Sequence, residues 1–427
     1  MKFTGFIGVI FLLGIAYILS NNRKAIKSRT VFWGIGLQLL FAVVILKIPF
    51  VKNQFSKVDN IFKKLISFSD AGSDFLFTSF IPDVGYHSAM VNFAFRALPV
   101  IIFFSSLIAV TYHFGIIQHV VKWVAKVMQI SMKTSGAETL SISANVFVGQ
   151  TEAPILIRPF INSMTKSELM AVMTGGFATA AGSVLALYVL WLKSIPGIAG
   201  HLLAASIMSA PAALVMAKII YPETEHSDTF GKIELPQHKE SENAMDALGQ
   251  GATDGLKLAA NVGAMLIAFV SIITMVNYIM VYLFSINMQE VMGVIFQPLA
   301  WSMGVPWNEA HLLGTLMGEK IVLTELIAYS NLSNLIMNDQ ISERTAIIAS
   351  YALCGFSNFG SIGIQLGGIG GMAPNRRGDL STIALKAMIG GALASWLTAT
   401  IAGLLLSWRK NETINHGTSW RRERYTG

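Results

Sequence analysis

Two short stretches carry residues able to do chemistry inside an otherwise apolar chain. "SANVFVGQTEAP" (143–154) sets Gln150, Thr151 and Glu152 in a row after Gly149 and ahead of Pro154, and "LLGTLMGEKIVLTELIAYSNL" (312–332) carries Glu325. A charged side chain at a bilayer centre costs about 3 kcal/mol on insertion scales, so such groups usually face a cavity, an ion path or a partner. Glu152 and Glu325 sit one in each half of the chain, where a single site could use both. Salt bridges to Arg158 or Lys320 would explain them structurally; a ligand held between the two halves would explain them functionally, and the functional explanation is favoured.

Around these acids the chemistry is neutral. Gln150 and Thr151 offer an amide, which both donates and accepts, and a hydroxyl; Asn358 and Ser361, in "CGFSNFGSIG" (354–363), repeat that offer from the other half. Taken singly, each is as readily a helix-to-helix hydrogen bond. Together, many uncharged donors and acceptors beside only two charges suit a small neutral molecule with ring nitrogens and hydroxyls better than a phosphate or a metal. Asn145, Thr179 and the carbonyls near Val148 and Ala180 are hard oxygen donors of the kind alkali cations accept. They serve equally well as helix caps and back-bonds. The glycine-rich "GIQLGGIGG" (363–371) lacks the Lys-Ser/Thr ending of a phosphate loop and reads as a helix breaker.

The elements that must position these groups belong to a membrane. Of 427 residues, 53% are hydrophobic and 13% charged, against about a quarter charged in soluble domains. The net charge of +7 does not gather on one stretch as nucleic-acid binding requires, so no nucleic acid partner is expected. The single cysteine, Cys354, excludes a disulfide framework. Apolar stretches near 4–20, 30–46, 97–121, 169–192, 197–217, 258–286, 345–372 and 387–408 are each candidates for the span of about 20 residues that crosses a bilayer. Segments 134–163 and 304–338 carry charge in mid-run and are interrupted by Gly, Pro or Asn. Irregular backbone at membrane depth is tolerated only against protein or a watery cavity, which makes both candidates for re-entrant hairpins. The polar segment 222–257 reads as a loop joining two halves.

Basic residues in short loops mark the cytoplasmic side. Arg23, Lys24, Lys27 and Arg29 follow the first apolar run, the reverse of a secretory signal peptide. The first span is therefore retained and the N-terminus is expected outside. Lys122, Lys126, Lys133, the 222–257 loop, Arg376, Arg377 and Lys386 then fall inside. Lys52, Lys57, Lys63 and Lys64, and the tail with Arg421, Arg422 and Arg424, fall outside, against the rule.

The halves also echo one another. "FATAAGSVLALY" from Phe177 and "FSNFGSIGIQLGG" from Phe356 each follow a hairpin candidate, pass a short polar residue and reach a Gly-Ser pair, Gly182–Ser183 and Gly360–Ser361. Glycine costs about 1 kcal/mol in a helix relative to alanine, so helices loosen there. Inverted repeats of interrupted helices, with freed backbone groups near the midplane, are the construction of secondary transporters. The fold expected is an all-α membrane protein: about eight transmembrane helices and two opposed re-entrant hairpins, arranged as inverted repeats with broken helices.

"GQTEAP" (149–154), "CGFSNFGSIG" (354–363) and "GGMAPNRRGD" (370–379), in this order and spacing, resemble the concentrative nucleoside transporter family, over nearly the whole chain. The resemblance implies a homotrimer in the cytoplasmic membrane. Each subunit would divide into a scaffold (1–133 and 222–303) and a mobile transport part (134–221 and 304–408), with a polar tail at 409–427. It implies that Gly149, Gln150, Thr151, Glu152 and Val184 line the nucleobase side, that Glu325, Asn358 and Ser361 hold the ribose hydroxyls, and that Phe356 packs on the ligand. It implies sodium at Asn145, Val148, Thr179 and Ala180. One departure stands out: Thr324-Glu325-Leu326 replaces the family's usual Asn-Glu-Phe. Asn145 favours sodium over proton coupling. The expected function is thus sodium-coupled nucleoside symport by an elevator motion. Proton-coupled symport, a passive channel, and an intramembrane enzyme with Glu152 and Glu325 as an acid-base pair are the rivals.

Overall fold

The computed structural model describes residues 2–78, 92–230 and 241–406, and nearly all of them lie in helices. Among the described residues six helical stretches are long and apolar enough to cross a membrane: Ser28–Lys47, Ala94–His113, Lys166–Trp191, Ile198–Ile220, Ala244–Phe284 and Pro374–Leu405. Thr4–Ile18 is a shorter apolar helix. The remaining candidate, 345–372, is two helices, α14 (Glu343–Ala352) and α15 (Phe359–Met372), separated by an extended break.

In the first half, α1 (Lys2–Ile18), α2 (Ser28–Lys47), α3 (Pro49–Phe77), α4 (Leu98–His113) and α5 (Ile116–Met132) precede a short α6 (Gly136–Ala144). After α6 the chain turns through the tip at 145–152 and returns as a 3₁₀ helix, Ala153–Phe160. Next come α7 (Lys166–Ala178), a break at 179–181, α8 (Gly182–Trp191) and α9 (Ile198–Ile220). The second half repeats this order: α10 (Ala244–Phe284) and α11 (Met288–Ser302), then α12 (Trp307–Val322) and α13 (Glu325–Met337) joined by a tight tip at Leu323–Thr324, then α14, break and α15, and last α16 (Arg377–Leu405). Helix, tip, helix and broken helix thus occur twice.

Several boundaries differ from expectation. The stretch 97–121 turns a corner at Gly115, whose φ of +75° is left-handed backbone, so α4 and α5 are separate helices. Residues 244–257, grouped with the polar loop, open the 41-residue α10, which at 1.5 Å per residue extends about 60 Å, twice the hydrocarbon thickness. Gly251 and Gly255, one turn apart, press against α4: a Cβ on either would fall 2.7 Å from Ser106 Cα or Ile102 Cα. They are small-residue packing positions of the kind membrane helices use. "GIQLGGIGG" is likewise helical, inside α15, because backbone groups away from water must bond within their own segment. The Gly-Ser pairs do not loosen the helices; the extended residues lie just before them, and each pair starts a half-helix.

The two breaks cross at the centre. Gly355 has φ of +98°, and a Cβ there would fall 2.6 Å from the carbonyl of Ala178, so only glycine meets both the conformation and the approach. Ser357 Oγ donates to Phe177 O at 2.8 Å across the same crossing.

The basic loops assigned to one side also come together at one end. Asn21 N donates to Ile220 O (2.9 Å), Lys386 reaches Leu19 O (3.2 Å) and the Asn21 side chain, and Arg29 Nε donates to Ser131 O (3.3 Å). Arg376 donates to the carbonyls of Ile161, Asn162 and Met164, while Lys166 pairs with Asp379 at 2.9 Å. Here Ser135 with Glu138 and Thr165 with Glu168 form capping boxes at the starts of α6 and α7, each satisfying two otherwise unpaired donors. Lys218 joins them, 2.7 Å from Glu138 Oε2 and 2.9 Å from Ser167 Oγ, and Ser227 donates to Glu168 at 2.6 Å. The base of the first hairpin is therefore fixed and buried. Lys63 pairs with Asp59 (3.0 Å), whose other oxygen accepts from Ala199 N at the start of α9, the opposite end. The tail with Arg421, Arg422 and Arg424 lies outside the described residues.

Candidate functional site

Glu325 opens α13 directly after the tip, where Thr324 caps the helix by accepting from Ile327 N. Its side chain is 2% exposed. Oε2 accepts from Asn358 Nδ2 at 2.9 Å and Oε1 from Tyr188 Oη at 3.1 Å. Asn358 is the N-cap of α15: its Oδ1 accepts from Ser361 N at 2.8 Å. The Ser361 hydroxyl accepts from Gln150 Nε2 at 3.3 Å, and Gln150 Oε1 accepts from Gln365 Nε2 at 3.0 Å. Five polar residues from the two tips and the second broken helix thus form one buried chain, joined to the first broken helix through Tyr188. Hydrogen bonds to a charged group are the stronger ones, and Glu325 receives two.

Each sequence-derived residue has a place relative to this chain. Gln150, Glu325, Asn358 and Ser361 belong to it. Val184 lies one turn before Tyr188 on α8 and is 2% exposed. Phe356 is half-buried on the second break. Thr151 packs against α15, where a Cβ on Gly368 would fall 2.9 Å from its methyl. Glu152 is exposed and turns its carboxylate back over Gly149: a Cβ on Gly149 would lie 2.1 Å from Oε2. The glycine ahead of the acid is the space the carboxylate fills. No hydrogen bond joins Glu152 to Glu325; Gln150 is the hairpin residue that meets the chain of partners around Glu325. Neither of the alternative salt bridges forms. Lys320 directs its ammonium to Ala352 O (3.0 Å), Cys354 O (2.9 Å) and Ser395 Oγ (2.9 Å), holding the second break, and Arg158 is exposed.

The oxygen donors form a second cluster. The tip of the first hairpin rests on the first break: Gly182 N donates to Phe147 O at 3.1 Å. Asn145 ends α6, 1% exposed, and its Nδ2 donates to Ser141 O at 3.3 Å. Its Oδ1 is buried without a hydrogen-bond partner. An orphaned buried acceptor costs about 1–3 kcal/mol, and a bound cation removes that cost. Thr179, on the extended break, donates to Gly175 O and keeps its oxygen lone pairs. The donor set is neutral, hard and buried, which fits an alkali ion.

Tyr188, Gln365 and Tyr329 escaped the sequence reading, and Lys320 entered it only as a possible partner for the acids. Tyr188 and Tyr329 stack at 4.0 Å with 19° between their planes, and Tyr329 donates to Ser350 O at 2.6 Å. Gln365, a lone polar residue within a glycine-rich apolar run, was the available signal for its own role.

Comparison with known proteins covers the same elements. Residues 7–80 match the family model "Na+ dependent nucleoside transporter N-terminus", 94–195 the model "Nucleoside recognition", and 201–403 the model "Na+ dependent nucleoside transporter C-terminus". Rat sodium/nucleoside cotransporter 2 is 37% identical over 430 residues, spanning 96% of this chain and 63% of that protein. The chain belongs to the concentrative nucleoside transporter family. It is 41% identical over 408 residues to an uncharacterized transporter of Haemophilus influenzae, covering 92% of this chain and 95% of that one. The solved structure of CNTnw in an inward-facing substrate-bound state superposes with a TM-score of 0.87 at 40% identity, covering 95% of this chain and 98% of that one. The transporter is thus an all-α, multi-pass membrane protein, and its relatives of assigned activity are cotransporters rather than enzymes.

Proposed function

We propose that the protein is a sodium-coupled nucleoside symporter of the cytoplasmic membrane. Gly149, Gln150, Thr151, Glu152 and Val184 line the nucleobase side; Glu325, Asn358 and Ser361 hold the ribose hydroxyls, with Phe356 packed on the ligand. The observation that carries this reading is the buried chain from Glu325 through Asn358 and Ser361 to Gln150, which ties both tips to the second break. It has one ionised acceptor and otherwise uncharged donors and acceptors, the complement of a sugar and a base.

Sodium is the co-substrate, bound by Asn145, Val148, Thr179 and Ala180, where the orphaned Asn145 oxygen supports a cation. It ties the first tip to the first break, beside Gln150. A ligand shifts a conformational equilibrium only by its differential affinity, so sodium couples by binding best when tip and break are together. Residues 134–221 and 304–408 move as the transport part against a scaffold of 1–133 and 222–303, in an elevator motion. The subunits form a homotrimer, with the N-terminus outside and the end carrying Arg29, Lys166, Arg376 and Lys386 in the cytoplasm. Uptake of radiolabelled uridine and adenosine into proteoliposomes tests the reading. An inward sodium gradient is expected to drive accumulation that a proton gradient does not; accumulation driven by protons alone, or flux indifferent to either gradient, refutes it.

A further inference from the structure

The amide groups in the chain cannot be turned freely, because its two ends accept only. At one end is the Glu325 carboxylate. At the other is the carbonyl of Met173 on α7, which accepts from Gln365 Nε2 at 3.2 Å. A carbonyl has no hydrogen to give, so Gln365 must present its NH2 group there. That same nitrogen donates to Gln150 Oε1 at 3.0 Å. Gln150 is then obliged to turn Nε2 the other way, to Ser361 Oγ at 3.3 Å. Accepting from Gln150, Ser361 has its own hydrogen left to donate. Asn358 is fixed just as firmly, with Nδ2 on the carboxylate and Oδ1 on the Ser361 N–H.

The packing is built for this contact. Gln365 is fully buried and Gln150 is 7% exposed. They meet over Gly176, where a Cβ would lie 2.7 Å from Gln365 Nε2 and 3.1 Å from Gln150 Cβ. Any larger residue at 176 separates the two amides.

We propose that Gln365 is a positioning residue for nucleobase selection: it takes its sense from the Met173 carbonyl and passes it to Gln150, so that Gln150 meets the base with N–H rather than with oxygen. The site thereby favours bases that present a carbonyl or an unprotonated ring nitrogen at that edge. This rests on the reading of Gln150 as a base-side contact. A side chain that merely fills space at 365 would have no such directional effect, whereas loss of the relay lets the Gln150 amide adopt either sense.

The test uses the full-length purified transporter in sodium, with affinities measured calorimetrically for uridine, cytidine and adenosine, and for uridine against 3′-deoxyuridine. Gln365→Met keeps the volume and removes the donor. It is expected to shrink the spread of affinities among the three bases by about tenfold, the weight of one hydrogen bond, and to leave the penalty for the missing ribose hydroxyl unchanged. Because Gln365 acts through Gln150, adding Gln365→Met to Gln150→Met should produce no further change. Should Gln365→Met fail to assemble, Gly176→Ala breaks the same contact without altering either amide, and the same loss of base discrimination is expected. Equal weakening of all nucleosides, or additive effects of the two substitutions, overturns the relay while leaving the site reading intact. Unchanged base discrimination in Gln150→Met overturns the base-side reading itself, and the relay with it.

Discussion

Replacing Glu325 by glutamine separates charge from shape at the ribose side. The carboxylate accepts from Asn358 at 2.9 Å and from Tyr188 at 3.1 Å. In Glu325→Gln the amide oxygen still serves Asn358, and the new NH2 faces Tyr188, whose hydroxyl can turn to accept it. The contacts within the protein therefore survive, and assembly is expected to be normal. The ribose hydroxyls lose a charged acceptor. A hydrogen bond to a charged group contributes about 1.5–3 kcal/mol and a neutral one about 1. The difference, about 1 kcal/mol per hydroxyl, gives about 2 kcal/mol for two hydroxyls, or about thirtyfold weaker binding. Burial of Glu325, at 2% exposure, leaves little water to take the place of the lost charge, which makes this a lower bound. Uptake of radiolabelled uridine under a sodium gradient, at concentrations far below half-saturation, should fall by at least this factor, with an unchanged size-exclusion profile. Uptake within about threefold of the unsubstituted protein, less than one neutral hydrogen bond, would remove Glu325 from the ribose side.

Three further substitutions probe other parts of the argument. Asn145→Ala removes the orphaned buried oxygen and should weaken sodium activation of uptake; since coupling is reciprocal, it should lessen by the same factor the tightening of nucleoside binding that sodium produces, and an unchanged sodium dependence would exclude Asn145 as a ligand. Gly149→Ala forces a Cβ into the position 2.1 Å from Glu152 Oε2 and should raise the KM for uridine about tenfold by displacing that carboxylate, whereas an unaltered KM would place Glu152 outside the site. Glu138→Gln leaves Lys218 buried with its nearest carboxylate, Glu223, at 3.5 Å; a loss of about 3 kcal/mol is expected, seen as a lower Tm with normal uptake per folded transporter, and an unchanged Tm would show that the pair does not stabilise the hairpin base.

The membrane class, the duplicated hairpin and broken helix, and the polar residues of both tips were legible in the chain because each is a local signal. Low charge, uninterrupted apolar runs, and acids set among glycine and proline where a lipid-facing helix tolerates neither can be read without a partner. The grouping of Arg29, Arg376 and Lys386 at one end followed from the same local rule. The extent of α10 was not legible, because "GQGATDG" has loop composition, and only packing against α4 turns Gly251 and Gly255 into helix contacts. The direct partners of the acids were not legible for a similar reason. Sequence placed Glu152 and Glu325 together as the two charges, but which side chains touch is decided by how the breaks cross, and that crossing hands Glu325 to Tyr188 and Asn358 and sends Lys320 to backbone carbonyls. Tyr188, Tyr329 and Gln365 read as ordinary membrane-helix residues in one dimension. Hydrogen bonds are directional and short, so residues as far apart as Gln150 and Gln365 acquire a role only when folding brings them within about 3 Å.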